Sequence, residues 1–448
     1  MQTGNGHIVV LGAGESGAGS ALLAQRKGYG VFVSDSGKIN ERYRKEFIEL
    51  GIPFEEGRHD IDRFKDATEV VKSPGIPDTA ESVLFFKERG VPVVSEIEFA
   101  SRFTNAKMIC ITGTNGKTTT TLLTHHLLKK AGLNVGLGGN VGKSFARQVA
   151  TASHDHYVLE LSSFQLDGCY SFKADIGILT NITPDHLDRY DYKLERYVAS
   201  KFRLAQNQSA TDAFIYCADD PITNEYLSGH TLQATLHPFS IRRKDGMKAW
   251  LENEILHIDT HNQTFTMSIH DLALQGKHNI YNSMAAGIAG RILDIRKDVV
   301  RESFTDFENI EHRLEFVTSV HGIDFINDSK ATNVNSTWYA LESMERPVIW
   351  IAGGVDKGND YSMLEELVKS RVKAIVCMGT DNGKIVKAFR EMVPQILETS
   401  SAEEAVQAAY RLGKKGDAVL LSPACASFDL FENYEDRGRK FKAAVRSL

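Results

Sequence analysis

Along the chain, short continuous apolar runs alternate with longer stretches whose apolar residues recur every three to four positions. The runs HIVVLG, GVFVSD, KMICIT, HYVLELSS, ADIGILTNI, PVIWIAGG, KAIVCMG and AVLLSP have strand length, and their unbroken apolar character predicts strands buried on both faces of parallel sheets. Between them, AGSALLAQRKG, TTTTLLTHHLLKKAG, IYNSMAAGIAGRIL, STWYALESM, MLEELVKSR and AEEAVQAAYRLG carry helical periodicity. Repeated strand–helix–strand order predicts an α/β protein. One region breaks this rhythm. Between about residues 236 and 274, KAWLENEILHID and QTFTMSIHD alternate apolar with polar side chains, as antiparallel hairpins added to a sheet would.

At 448 residues the chain is too long for one core, and three blocks suit it: 1–105, 106–309 and 310–448. The first boundary falls at the polar SRFTNAK, and the second follows the helix IYNSMAAGIAGRIL. Apolar residues are 42% and charged residues 25%, with no run able to cross a bilayer, so a soluble protein without membrane insertion is expected. The start, MQTGNGHIVVLG, lacks the basic and apolar regions of a signal peptide, and a cytoplasmic address is expected. A net charge of −6 and the lack of any RNP, zinc-finger or basic-helix pattern argue against a nucleic-acid partner. Cys110, Cys169, Cys217, Cys377 and Cys425 are scattered without a CxxC pair, which argues against a disulfide framework and a thiolate metal site.

Candidate chemistry sits in the turns that follow the strands. ICITGTNGKTTTT, Ile109 to Thr121, is a strand, a glycine loop and a helix start, in which amides bind phosphate oxygens, Lys117 neutralises them and Thr118 faces Mg²⁺. It is shorter than the usual phosphate loop, because Ile111 stands where the early glycine belongs. LGAGESG supplies Gly12, Gly14 and Gly17 of a dinucleotide fingerprint, with Asp35 ending the next strand at the distance of a ribose-binding carboxylate. That turn fits an NAD-dependent oxidoreductase, another nucleotide's diphosphate, or a purely structural tight turn, and the residues alone leave all three open. Glu160 ends an apolar strand on the edge of the phosphate loop, where a carboxylate is costly unless it meets a cation such as Mg²⁺. His186 and Asp188 of TNITPDHLDRY follow another strand and Lys201 lies on a helix; spacing assigns none of them a role. In GKHNIYN, His278 precedes Asn279 and Asn282, which share one helix face and suit a base edge or a ribose as well as a cap. EHRLE, NDSKATN, GGVDKG and SPACASFDLFENYEDRG are polar or glycine-rich stretches at strand ends in the last block.

Taken in order along the chain, GTNGKTTT, ELSSFQL, NITPDHLDRY, YVASK, GKHNIYN, EHRLE, NDSKATN, GGVDKG and SPACASFDLFENYEDRG resemble the signatures of the Mur ligase family. The match is nearest to those members that add D-glutamate to UDP-N-acetylmuramoyl-L-alanine. The resemblance implies three α/β domains: an N-terminal Rossmann-like domain for the UDP substrate, a central P-loop sheet with an antiparallel portion for ATP, and a C-terminal Rossmann-like domain for the amino acid. It implies that Gly113, Thr114, Asn115, Gly116, Lys117, Thr118, Thr119, Asn279, Asn282, Arg313 and Asp328 bind ATP. Lys117, Glu160, His186 and Lys201 are the implied catalytic residues, and Thr118, Glu160, His186 and a carbamylated Lys201 would hold two Mg²⁺ ions. Gly14, Ser16, Asp35, Ser36, Ser73, Asn140 and His186 are implied for the UDP substrate, and Lys330, Thr332, Lys357, Ser427 and Tyr434 for D-glutamate.

The implied reaction is ATP-dependent amide formation through an acyl phosphate, in peptidoglycan precursor synthesis, by a monomer whose third domain closes to exclude water. SDSG lacks the arginine that often follows the Ser-Asp pair in relatives, which alters the expected contacts there; Lys38 is a possible substitute. An amide ligase of the same superfamily acting with another amino acid or on folate, an oxidoreductase using NAD, and a non-catalytic nucleotide switch are the alternatives.

Overall fold

A computed structural model describes residues 6–260, 263–307, 311–344 and 346–448. The chain forms two compact units, residues 1–307 and 308–448. The first unit holds two sheets. Strands β1 (His7–Leu11), β2 (Gly30–Asp35), β3 (Phe54–Glu56), β4 (Glu69–Lys72) and β5 (Val93–Val94) run parallel in the order β3-β2-β1-β4-β5. The second sheet contains β6 (Lys107–Thr112), β7 (Val135–Gly139), β8 (His156–Glu160), β9 (Ile176–Leu179), β10 (Ala213–Cys217), β11 (Thr235–Ser240), β12 (Ala249–Glu252), β13 (Ile255–Thr260) and β14 (Gln263–Ser268). Its order is β14-β13-β12-β11-β10-β9-β6-β8-β7.

The apolar runs behave as their pattern predicts: Ile109, Cys110 and Ile111 of β6 and Val158 and Leu159 of β8 have no exposed surface. The alternating segments form β12–β13 and β13–β14 as antiparallel pairs. The strand before them, β11, joins β12 in parallel. β1 lies between β2 and β4, and β6 between β9 and β8, so each sheet opens a crevice beyond the carboxyl end of its central strand. All five cysteines are buried and unbridged, as small apolar residues. Among the described residues no helix is long and apolar enough to cross a membrane.

One apolar core joins the two sheets of the first unit: Ile8, Val10 and Val33 belong to the same buried cluster as Cys110, Phe145 and Tyr157. Carboxylates reinforce the seam. Helix Glu96–Ser101 carries Glu96, which accepts from Ser144 Oγ and from Ala146 N at 2.9 Å. Two residues on, the buried Glu98 accepts from the backbone N–H groups of Tyr170, Ser171 and Phe172 at 2.8–3.1 Å, and from Ser171 Oγ. Arg147 forks onto Glu46 and also meets Glu15. A row of acids from the first sheet's helices thus satisfies amides and one guanidinium of the second sheet's layer.

In the second unit, β15 (Glu315–Val320), β16 (Ile323–Asn327), β17 (Val348–Ala352), β18 (Val372–Met378), β19 (Ile396–Thr399) and β20 (Ala418–Leu421) form a sheet in the order β15-β16-β20-β17-β18-β19. All its pairings are parallel except β15 with β16. Sequence pattern does not reveal that edge strand: EFVTSV is half exposed, and Phe316 is 59% exposed, so no buried run marks it.

Glu98 gives the seam a measurable pH signature. Burial opposes its charge, but hydrogen bonds from Ser171, Tyr170 and Phe172 with the nearby Arg102 hold its carboxyl below the ordinary glutamate range. Its contribution is therefore complete above the ordinary glutamate pKa and is lost as pH falls through the lowered one. Glu98→Ala should cost about 2–4 kcal/mol, since three amides lose their acceptor. Thermal unfolding at neutral pH and near pH 3 checks this: the gap between wild type and variant should narrow in acid.

Candidate active site

The loop Gly113–Gly116 leaves β6 and enters helix Lys117–Lys130. Two of its glycines are obligatory. Gly113 has φ +144° and a Cβ there would lie 1.9 Å from Thr180 Oγ1; Gly116 has φ +81° and a Cβ would lie 2.5 Å from Asn282 Oδ1. Thr114 Oγ1 meets Thr183 O at 3.0 Å and Tyr197 O–H at 3.1 Å, and Asn115 N donates to Asn181 Oδ1 at 3.0 Å. Partners at Asn181, Thr183 and Tyr197 thus fix the loop that leads into the helix. Thr118 and Thr119 are buried in the first turn.

Two lysine amines converge on one oxygen of this loop. Lys117 Nζ donates to Gly113 O and Thr114 O, each at 2.8 Å, and Lys201 Nζ donates to the same Gly113 O at 2.7 Å. Lys201, on helix Leu194–Phe202, is 2% exposed and lies 4.5 Å over the ring of Tyr197. Burial first and Lys117 second push its pKa well below the ordinary lysine value, against the pull of Asp185 and Asp167.

Across from them, Glu160 ends β8, 2% exposed. Its Oε1 accepts from Asn140 Nδ2 at 2.7 Å, and its buried Oε2 has no hydrogen-bond partner among the described residues. An orphaned carboxylate oxygen beside a phosphate-type loop suits a cation. No three His, Cys, Asp or Glu side chains among the described residues stand close enough to hold an ion. Any metal here takes a hydroxyl, ligand oxygens or a modified side chain as well, as Mg²⁺ commonly does.

His186 takes a left-handed backbone, φ +52°, rare for a side chain of its size. Its ring stands edge-on to Phe164 at 5.2 Å and 3.7 Å from Asp185. Asp188 is exposed. On helix Lys277–Ile292, Asn279 and Asn282 are buried and linked, Asn282 Nδ2 donating to Asn279 Oδ1 at 3.1 Å; Asn282 Oδ1 accepts from Thr120 Oγ1 at 3.2 Å. His278 is half-buried at the helix start.

At the carboxyl edge of the first sheet, Gly12 (φ +90°) and Gly17 make the turn tight, since a Cβ on Gly17 would lie 1.8 Å from Gly12 O. Gly14, exposed, has open space around its Cβ position, and Ser16 begins the helix Glu15–Arg26 beside it. Asp35 accepts from Ala13 N at 2.7 Å and Gly37 N at 2.8 Å, so its first task is to shape the turn. Ser73 Oγ donates to Gly12 O, and Ser36 lines a cleft with Gly75 and Ile76. Lys38 is exposed. Arg189, which sequence reading passes over, reaches from the His186 loop to the carbonyls of Pro74, Gly75 and Ile76 at 3.3–3.4 Å while lying over Phe164.

The second unit gathers Arg313, Asp328, Lys330, Thr332, Lys357, Ser427 and Tyr434 around the carboxyl ends of its strands. Asp328 is buried, accepts from Ser422 Oγ at 2.9 Å, and has its pKa raised by burial to about 7, with Arg313 pulling the other way. Lys330 Nζ donates to Tyr434 O–H at 3.0 Å and sits over its ring. Thr332 is half-buried, Ser427 buried and Lys357 exposed. His312, Leu314 and Ala424 have left-handed φ values of +66°, +43° and +60°, so EHRLE and SPACAS carry backbone strain.

Arg437, also invisible to sequence reading, ties three of these loops together. Fully buried, it donates to Ser329 Oγ and O at 3.0 and 2.9 Å, to Cys425 O at 3.3 Å and to Gly353 O at 3.5 Å. Burial lowers its pKa to about 10.

Comparison with known proteins finds three matching segments. Sequence profiles match at residues 6–95 (Mur ligase MurD-like, N-terminal domain), 111–290 (Mur ligase middle domain) and 312–425 (Mur ligase, glutamate ligase domain). A UDP-N-acetylmuramoylalanine--D-glutamate ligase of Christiangramia forsetii is 57% identical over 441 residues, covering 98% of this chain and 99% of the relative. One from Bacteroides fragilis is 55% identical over 442 residues, with 98% and 99% covered. Among solved structures, a UDP-N-acetylmuramate-alanine ligase from Thermotoga maritima shares the fold at TM-score 0.64 and 19% identity, covering 99% of this chain and 100% of that one.

Arg437→Ala removes the donors that hold Ser329, Gly353 and Cys425 together and should destabilise the second unit by more than about 3 kcal/mol. Arg437→Lys should recover only part, because an ammonium cannot reproduce the fork. Limited proteolysis and thermal midpoints of the full chain check both.

Proposed function

The chain belongs to the Mur ligase family, and on that premise we propose that it joins D-glutamate to UDP-N-acetylmuramoyl-L-alanine at the expense of ATP. The observation that carries this reading is the identity with D-glutamate ligases across nearly the whole chain, the glutamate ligase profile included. The orphaned Glu160 Oε2 beside the glycine loop supports nucleotide-dependent chemistry over hydride transfer. We assign residues 1–105 to the UDP substrate, 106–309 to ATP and 310–448 to the amino acid, in a cytoplasmic monomer.

The reaction has two displacements. A carboxylate oxygen of the alanyl substrate bonds to the γ-phosphorus as the bond to ADP breaks, giving an acyl phosphate. The amine of D-glutamate then attacks the acyl carbon, phosphate leaves and the amine loses a proton. Lys117 turns from Gly113 O to the phosphate oxygens, where its charge stabilises the one developing in the transition state. Thr118, Glu160, His186 and a modified Lys201 would hold Mg²⁺, which supplies further charge neutralisation when bound. Asn279, Asn282, Arg313 and Asp328 are assigned to the nucleotide. Gly14, Ser16, Asp35, Ser36, Ser73 and Asn140 are assigned to the UDP substrate. Lys330, Thr332, Lys357, Ser427 and Tyr434 supply donors for the two carboxylates of D-glutamate.

The charge arrangement supports the carbamylation of Lys201 that the family resemblance implies. Two ammonium groups on one carbonyl repel, and burial adds to the cost of the Lys201 charge, which Asp185 and Asp167 offset only in part. Attack of the neutral amine on CO₂, with loss of a proton, converts a buried cation into an anion that pairs with Lys117 or with a metal.

Incubation with ATP, Mg²⁺ and UDP-N-acetylmuramoyl-L-alanine, varying D-glutamate, L-glutamate, L-lysine and diaminopimelate, tests the reading by phosphate release and product mass. Release dependent on D-glutamate is the expected result; turnover with another amino acid alone would reassign the enzyme. Lys117→Ala should abolish turnover in a folded protein. Lys201→Ala should be inactive and partly rescued by short carboxylic acids, and a fully active variant would refute the carbamate.

A further inference from the structure

Beyond the carboxyl ends of β2, β3 and β4 lies a cleft of about 380 Å³, lined among others by Ser36, His59, Gly75, Ile76 and Ser82. That volume falls within the range of small-molecule sites, roughly 300–1,000 Å³. His59 belongs to no motif, yet its ring is held by a chain of buried groups. Glu55, opposite Ser34 across the β2–β3 pair, is 6% exposed; its Oε1 accepts from Asp60 N at 2.9 Å and its Oε2 faces Arg63 at 3.5 Å. Ser34 Oγ donates its proton to Glu55 Oε1 at 2.7 Å.

A hydroxyl has one proton. Since Ser34 gives it to Glu55, its oxygen must accept the second contact, from His59 Nδ1 at 2.7 Å. The neutral ring is then protonated at Nδ1, and Nε2 carries the bare lone pair. Among the described residues no group bonds Nε2. The fold has built a fixed hydrogen-bond acceptor on the wall of the cleft, beside apolar Ile76 and Pro77.

We propose that His59 Nε2 accepts the N3–H of the uracil ring and selects uridine over cytidine nucleotides. Cytosine carries no hydrogen at N3, and a methyl group there would both remove the donor and collide. The proposal rests on the UDP-substrate reading of this sheet edge and names the side chain that reads the base. Arg189, bonded to Gly75 and Ile76 carbonyls, keeps the opposite wall in place.

The test is inhibition of the full-length enzyme by UDP, CDP and N3-methyl-UDP in competition with UDP-N-acetylmuramoyl-L-alanine. Wild type should prefer UDP to the other two by about ten- to a hundredfold, the range for leaving a built polar group unpaired. His59→Ala should lose most of that preference and raise KM for the UDP substrate, with kcat little changed. Nitrogen-15 NMR of the histidine rings gives an independent reading, in which His59 should be protonated at Nδ1. Undiminished discrimination by His59→Ala, or a ring protonated at Nε2, would overturn the proposal while leaving the ligase intact. Inhibition by none of the three nucleotides would instead remove the UDP reading, and the proposal with it.

Discussion

Two lysine amines share one carbonyl oxygen, and much of the first unit exists to bring this about. Gly113 O receives Lys117 from its own loop and Lys201 from a helix 88 residues further on. Such crowding of like charge is unfavourable in a fold left to itself. It becomes useful once anionic groups enter. Anionic oxygens set beside the two amines turn that repulsion into attraction. Glu160 makes the same point with the opposite sign, a buried carboxylate oxygen with no hydrogen-bond partner among the described residues, which suits a cation.

Holding such a site requires a rigid frame. The loop is positioned by β6, which lies between β8 and β9 and is buried on both faces. The seam to the first sheet is made of carboxylates that accept backbone amides, a geometry less tolerant of sliding than an apolar face alone. Arg189 adds a second tie, from the loop of His186 to the turn after β4. The first sheet edge and the glycine loop are thereby kept at a fixed separation, as groups that must meet in one geometry would require.

How much of this the sequence discloses depends on where each residue's partners lie. Strands such as KMICIT and glycine turns such as GTNGKT are local patterns, legible because burial on both faces and positive φ are set within a few residues. Asn279 and Asn282 are legible as a pair for the same reason. Arg437 is not: its partners include Ser329, 108 positions away, and Gly353, 84 away. Arg189 binds carbonyls more than a hundred positions away, and carbonyls leave no signature in side-chain chemistry. Tyr197 is similar, since its contact with Thr114 exists only after helix Leu194–Phe202 has packed. The edge strand β15 escapes notice because it contains no fully buried residue, and its Phe316 is largely exposed.

The second unit obeys a related rule with different means. Its loops are strained, with left-handed His312, Leu314 and Ala424, and Gly353 and Gly354 at φ +126° and +128°. A guanidinium with several carbonyl partners is suited to hold such loops, because it satisfies oxygens that no neighbouring amide can reach. Arg437 does so with no carboxylate hydrogen-bonded to it among the described residues, while Asp429 and Asp328 partly offset its charge. Lys330, laid over the Tyr434 ring, adds a second positive group to the same edge. Positive groups held at one sheet edge favour anionic ligands, so the charge that holds the loops together also shapes the field they present.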